Sequence, residues 1–235
     1  MQPLASEAAP DCGSSGLVVV SVVSHGHKHQ VQGLLNDLVR FSRGRISRVV
    51  LTLNQPEAAP QPPAAGWPFA LHIVRNIRPL GFGANHNRAL SGAGEPFVCV
   101  LNPDVRWDGC DPLEAMVQAA AQPGVGCSYP VQIDNVGCWQ DSARALPTPA
   151  ALFRRRVLGQ REARVDWVNA ACLVLPQPVW QRLQGFDEAY FMYCEDVDLC
   201  LRLRLAGLAQ APAPAQVVHT GQRASHRRWL HLRWH

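Results

Sequence analysis

The feature that most constrains the fold is the run Leu17-Val-Val-Val-Ser-Val-Val23. It is β-branched and almost continuous, without the polar alternation of a strand that has one wet face. Such a strand must be covered on both sides, as a central strand of a parallel sheet is covered by helices. The residues that follow suit a crossover. Val31, Leu34, Leu35, Leu38 and Val39 recur at helical spacing over 28–41. Further apolar strands are predicted over 46–53, 69–74 and 97–101, with a proline-rich loop over 54–68 and a short helix over 83–90. Strands alternating with helices predict an α/β domain with a mostly parallel central sheet flanked by helices, joined by right-handed crossovers.

The second half continues the pattern less regularly. A helix is predicted over 110–121, a pair of short strands within 125–139, a buried strand over 171–175 and a short helix over 179–183. A helix over 195–206 stops at Gly207, and a last strand covers 216–219. Residues 1–16 are rich in Ala, Ser, Pro and Gly and read as a flexible tail. Residues 17–219 read as one domain, and 220–235 as a basic aromatic segment. A chain of 235 residues suits one large domain, and 47% hydrophobic residues supply a core that excludes global disorder.

Composition also narrows the location. The Leu17–Val23 run is far short of a membrane span, and Met1 does not open a secretory signal. The eight cysteines are scattered without a C-x-x-C pair, so they read as reduced thiols acting as small hydrophobes. A cytoplasmic protein is expected. The net charge of +4 is unevenly placed: six arginines and no acid follow Asp198. A basic terminus suits nucleic acid, an anionic membrane surface or a phosphorylated ligand, and charge alone does not choose.

Four segments carry chemistry. Leu101-Asn-Pro-Asp104 puts a carboxylate at the end of a strand, where ligands of open α/β sheets sit. A hard carboxylate there suits Mg²⁺ or Mn²⁺, although N-P-D is also plain turn chemistry. Gly81-Phe-Gly-Ala-Asn-His-Asn87 lets backbone approach a ligand and offers N–H groups to a phosphate, or simply closes a loop. Glu195, Asp196 and Asp198 crowd one helix start behind the aromatic run Tyr190-Phe-Met-Tyr193. They complement the helix dipole, or one of them, desolvated beside another acid, serves as a general base. His219 follows a strand and is either structural or a metal partner of Asp104.

Taken in order, these marks resemble the family-2 glycosyltransferases, in particular their bacterial rhamnosyltransferase-like branch. The resemblance rests on the Val-rich first strand, N-x-x-x-x-G-F from Asn76 to Phe82 with Asn87 beyond, N-P-D at 102–104 and Asp166-Trp167. It continues through G-F-D-E at 185–188, Phe191-Met-Tyr193, E-D-V-D-L at 195–199, and His219 before a basic segment. The resemblance implies a GT-A fold with a Rossmann-like nucleotide half. It also implies metal-assisted, inverting transfer of a sugar from a nucleotide diphosphate donor, with dTDP-rhamnose favoured, to a saccharide or lipid-linked acceptor in cell-surface polysaccharide synthesis.

Residue by residue, it makes Asp196 the general base with Glu195 beside it. Asp104 is the metal-binding acid, with His219 completing the Mg²⁺ or Mn²⁺ site. Ser24, His25, Asn54 and Asn87 fall where the nucleotide is held, and Trp167 and Tyr193 near sugar and acceptor. A catalytically silent nucleotide- or partner-binding module is the alternative. Nucleic acid is disfavoured by the acidic cluster. The segment with Arg223, Arg227, Arg228 and Arg233 among Trp229, Leu230, Leu232 and Trp234 is expected to face a membrane surface or lipid-linked acceptor, or else to pack on the domain.

Overall fold

A computed structural model describes residues 17–145 and 165–220. The expectations for the N-terminal tail and for the basic segment beyond Thr220 lie outside the described residues.

The first strand, β1 (Val18–Ser24), is central as its composition demands. It is followed by α1 (Lys28–Phe41), β2 (Ile46–Leu53), β3 (Ala70–Arg75), α2 (Phe82–Leu90) and β4 (Phe97–Leu101). β1 pairs in parallel with β2 on one side and β4 on the other, and β2 pairs in parallel with β3. Val18, Val20 and Val22 point into one core with Leu34, Leu35 and Leu38 of α1, whereas Val19 points into a second core on the opposite face. Burying each such leucine contributes about 1.5–3 kcal/mol, so the α1 stripe anchors the crossover.

The remaining elements are β5 (Val105–Trp107), α3 (Pro112–Ala120), β6 (Val125–Ile133), β7 (Ala143–Arg144), β8 (Trp167–Val168) and β9 (Cys172–Pro176). They end with α4 (Gln177–Leu183), α5 (Glu195–Leu205) and β10 (Ala209–His219). The main sheet has the order β3-β2-β1-β4-β9-β6-β10-β5, and β7 and β8 form a separate pair. β9 is antiparallel to β4 and β6, and β5 is antiparallel to β10. The other six strands run one way. The carboxyl ends of β1, β2, β4 and β10 therefore share one edge of the sheet.

Three details differ from the sequence expectation. The stretch after Val125 is one nine-residue strand, not two short ones. The chain then turns at Asp134, whose carboxylate accepts from the N–H groups of Val136 and Cys138, and returns through a single bridge from Ile133 to Trp139. The last strand begins at Ala209, not 216, and runs through Pro212 and Pro214. Its register with β6 slips between Pro212 and Gln216, which is how prolines are tolerated inside a sheet. The three residues of β5 carry no periodicity; their place is fixed by an ion pair. Buried Asp37 of α1 accepts from Arg106 Nε at 2.5 Å and Nη2 at 2.9 Å, and from the N–H of Trp107 at 3.1 Å.

One buried polar contact crosses the second core. Ser21 of β1 lies 2.8 Å by its hydroxyl from Nδ1 of His86 on α2, and both side chains are fully buried. Burial pushes the His86 imidazole down to about 3. The folded protein then binds no proton at His86 between about pH 3 and 6.5, while the unfolded chain does. Stability should fall as the pH is lowered through that window, by up to about 1.4 kcal/mol per unit. Thermal melts followed by circular dichroism at pH 7 and pH 5 check this: His86→Asn should lose less on acidification than the wild type.

Candidate functional site

A cleft of about 580 Å³ opens at the shared edge, lined by His25, Asn54, Leu80, Phe82, Asn102 and Asp104 among others. The lining groups come from strand ends, from the loops beyond them and from the first turns of α1 and α2. Ser24, at the end of β1, is fully buried; its hydroxyl accepts from the N–H of His27 and its carbonyl from the N–H of Asn54. It ties the ends of the first two strands together and is not itself among the residues that line the cleft. Asn54, at the end of β2, is 5% exposed and uses both ends of its amide. Nδ2 lies 3.2 Å from His25 Nδ1 and donates to Leu80 O, while Oδ1 accepts from Asn76 Nδ2 and from the N–H of Leu80. Asn76 also donates to Asn85 Oδ1, at 2.7 Å. Three amides thus hold the 76–82 loop against the strand ends. His25 sits on this network with its imidazole pushed down by burial, then by the charge of His27, with Glu57 pulling the other way.

Asp104 follows β4, and His219 ends β10. Their side chains meet with His219 Nε2 3.4 Å from Asp104 Oδ2. Gln140 sets the imidazole: its Oε1 faces His219 Nδ1 at 3.1 Å, and its Nε2 donates to the His219 carbonyl at 2.7 Å. With Nδ1 carrying the proton toward Gln140, the lone pair of Nε2 faces the carboxylate. Two electron-rich atoms aimed at each other are a donor set suited to a cation. Thr220 adds two bonds, N–H and hydroxyl, to the Asp104 carbonyl, each 3.0 Å. Among the described residues no group of three His, Cys, Asp or Glu side chains could hold a metal ion. A hard ion at Asp104 and His219 would complete its shell with ligand and water oxygens, as Mg²⁺ and Mn²⁺ commonly do.

The acidic helix start forms a second group of residues. Tyr193 and Cys194 both take left-handed conformations, with φ 70° and 71°, a costly pairing for side-chain-bearing residues. This turn delivers Glu195 and Asp196 into the first turn of α5 without a side-chain cap. Burial pushes the Asp196 carboxyl up; N–H bonds from Val197 and Ala170 and the charge of Arg144 oppose it. Glu195 is pushed up to about 7, again mainly by burial, and its Oε2 is buried without a hydrogen-bond partner. Asp198 is differently placed: it pairs with Arg202 at 2.7 Å, and Arg202 also donates to Leu183 O, so Asp198 has a structural task. Arg144 lies over the Trp167 ring at 5.4 Å, which puts Trp167 on the Asp196 side of the molecule. Burial and then the Glu195 charge push the Tyr193 phenol up.

Asn87 is not among the residues that line the cleft. Its amide clamps the G-F-D-E segment: Oδ1 accepts from the N–H of Phe186, and Nδ2 donates to Phe186 O and Glu188 Oε1. The glycines of the 81–87 stretch are used for packing. A Cβ on Gly83 would lie 2.7 Å from Phe186 Cβ. The sequence pattern gave no sign of Gln140, which reaches its partner across 79 positions. Asn76 and Asn85 were visible only as parts of a motif.

The family model described as "Glycosyltransferase like family 2" matches residues 16–234. The chain belongs to the family-2 glycosyltransferases. It is 33% identical over 171 residues to an N-acetylglucosaminyl-diphospho-decaprenol L-rhamnosyltransferase of Mycobacterium tuberculosis, covering 60% of this chain and 55% of that one. It is 26% identical to the rhamnosyltransferase WbbL of Escherichia coli, covering 85% and 81%. The chain thus spans about half the length of the mycobacterial relative. Among solved structures it superposes on the mannosyltransferase PcManGT of Pyrobaculum calidifontis, in complex with GDP-Man and Mn²⁺, with a TM-score of 0.64. Identity there is 18%, with 94% of this chain and 61% of that chain covered. GalNAc-T7 with UDP, GalNAc and Mn²⁺ gives the same TM-score at 12% identity, covering 88% and 44%. The fold of this family-2 glycosyltransferase is GT-A. No helix among the described residues is long and apolar enough to cross a membrane.

The raised Glu195 carboxyl has a consequence for stability. Between the ordinary 4.5 and about 7 the folded protein holds a proton that the unfolded chain has lost, so stability falls as pH rises through that window. Above it the buried charge costs up to roughly 3 kcal/mol. Glu195→Gln removes the titration. Its gain in melting temperature over the wild type should be larger at pH 8 than at pH 5, as measured by scanning calorimetry.

Proposed function

We propose that this chain transfers a sugar from a nucleoside diphosphate donor to a hydroxyl of a saccharide or lipid-linked acceptor, with inversion at the anomeric carbon. The observation that carries this reading is Asp104 beside His219 at the cleft, on the edge where four strand ends converge. Family membership supports the reaction class. Two relatives named as rhamnosyltransferases support rhamnose, and hence a dTDP donor, and the decaprenol-linked substrate in the first relative's name supports a lipid-linked acceptor in cell-surface polysaccharide synthesis.

In this reading the donor lies in the cleft, its nucleoside over His25 and the Asn54 network, and its diphosphate toward Asp104 and His219. Asp104 and His219 would hold Mg²⁺ or Mn²⁺ there, and such an ion would supply positive charge to offset the charge on the departing diphosphate. The Mn²⁺ in the names of the two superposed structures supports that assignment. Gln140 orients His219 for it. Asp196, raised by burial yet steadied by backbone N–H bonds, accepts the proton of the acceptor hydroxyl as its oxygen attacks the anomeric carbon from the face opposite the diphosphate. A single displacement needs one base and forms no covalent intermediate. Trp167 and Tyr193 border the acceptor, and Glu195 beside Asp196 tunes it or orients the acceptor. Contact with the inner face of a cytoplasmic membrane is part of this proposal, since a lipid-linked acceptor is held there.

A screen of nucleotide sugars with Mn²⁺, read as acceptor glycosylation and thermal stabilisation, tests the proposal directly. Stabilisation by dTDP-rhamnose with turnover supports it. Nucleotide binding without transfer to any acceptor would favour a silent binding module. Asp196→Asn should lower transfer by ~10²–10⁴ while leaving nucleotide affinity intact. Near-normal turnover by that variant would remove Asp196 from the role.

The metal assignment has its own test. Asp104→Ala should abolish the Mn²⁺ dependence of dTDP affinity in calorimetry, with His219→Ala milder. Gln140→Leu should weaken that affinity by about tenfold, because it frees the imidazole that it orients. Unchanged Mn²⁺-dependent affinity in the Asp104 variant would defeat the assignment.

A further inference from the structure

Gly81 has no torsional need to be glycine. Its φ of −64° and ψ of 164° are open to any L-residue. The reason for a missing side chain lies across the loop. A Cβ at Gly81 would stand 2.6 Å from Phe191 O and 3.0 Å from Phe191 Cα, backbone atoms that cannot rotate aside. The next residue bonds to that same carbonyl: Phe82 N–H donates to Phe191 O at 2.9 Å. Phe82 is the first residue of α2, so its N–H has no partner within its own helix.

The 187–194 segment depends on its attachments. At one end Asn87 clamps Phe186 and Glu188. At the other end stand the left-handed pair Tyr193 and Cys194, directly before Glu195 and Asp196. A strained pair of this kind persists only where its surroundings hold it. Between the two ends, the Phe82–Phe191 bond joins the segment to the loop that carries Leu80 and Phe82 into the cleft, and Met192 beside it lines the same cleft.

We propose that Gly81 is a positioning residue. Its missing side chain lets the Phe82–Phe191 backbone bond fasten the 187–194 segment to the nucleotide side of the cleft, and this holds the strained turn that presents Asp196. The effect on turnover rests on the glycosyltransferase reading; the fastening itself does not.

The test uses the full chain with Gly81→Ala, and Gly94→Ala as control, since a Cβ at Gly94 meets nothing within 4 Å. Hydrogen exchange read by mass spectrometry should speed up across 189–196 in the Gly81 variant alone. In steady-state kinetics kcat should fall by about 10²-fold, the scale of a misplaced reacting group. Donor KM and the dTDP–Mn²⁺ affinity should stay within about twofold of wild type, because the loss falls on the reacting geometry and not on ground-state binding. Unchanged exchange across 189–196, unchanged kcat, or a loss of dTDP affinity that matches the loss of kcat would each overturn the proposal. If Gly81→Ala does not fold, the wild type decides. There the Phe82 amide should exchange slowly and open together with 189–194, and fast exchange of that amide overturns the fastening. Exchange coupling as expected, in a wild type that turns over no nucleotide sugar, upholds the fastening and defeats the functional reading instead.

Discussion

Burial of β1 on both faces is the constraint from which the rest of the structure follows. Its alternate valines enter two separate cores, so helices must cover both sides of the sheet. Its two neighbours must then be parallel strands reached by crossovers, which brings the carboxyl ends of β1, β2 and β4 to one edge. The cleft exists because those ends stop there and their loops diverge. The same strand buries the polar Ser21 mid-strand, which holds the buried His86 and fixes α2 against the sheet. That helix in turn supplies Phe82 and Asn85 to the cleft wall.

One wall of the cleft is built from amides and the start of α5 from carboxylates, for a physical reason. Asn54, Asn76 and Asn85 satisfy one another and the backbone of the 76–82 loop without carrying charge, so these contacts do not depend on pH. Glu195 and Asp196 are desolvated at a helix start, where the dipole offsets part of the cost and backbone N–H groups offset more. Asp198, one turn-position later, is neutralised by Arg202. Three neighbouring acids thus have three environments: Glu195 and Asp196 are raised by burial, and Asp198 is held in an ion pair.

Asp104 and His219 lie far apart in the chain and meet because β10 runs beside β5, pairing His219 with Val105. A short strand with no periodic signal therefore decides the geometry of the site. Asp37 holds that strand through Arg106 and the Trp107 N–H, and Gly33 leaves room for the guanidinium, since a Cβ there would lie 2.8 Å from Arg106 Nη1. An ion pair between α1 and the edge strand β5 is in this way connected to the alignment of the cleft.

The sequence by itself determined the class of fold, the parallel half, and the residue types of the site. Continuous apolar runs and helical spacing are local properties, and the order of N-P-D, G-F-D-E, E-D-V-D-L and His219 is a property of the chain. It did not reveal β5 or the early start of β10, because a three-residue strand has no period and Pro212 and Pro214 argue against a strand until a register slip accommodates them. Only the tertiary structure gave Gln140 to His219, gave Asn87 to the 185–188 segment instead of the cleft, and turned Gly81 and Gly83 toward Phe191 and Phe186. Each of these contacts joins positions far apart in the chain. A glycine or an amide looks the same in sequence whether the group it approaches is a ligand or another stretch of backbone, and only packing assigns the partner.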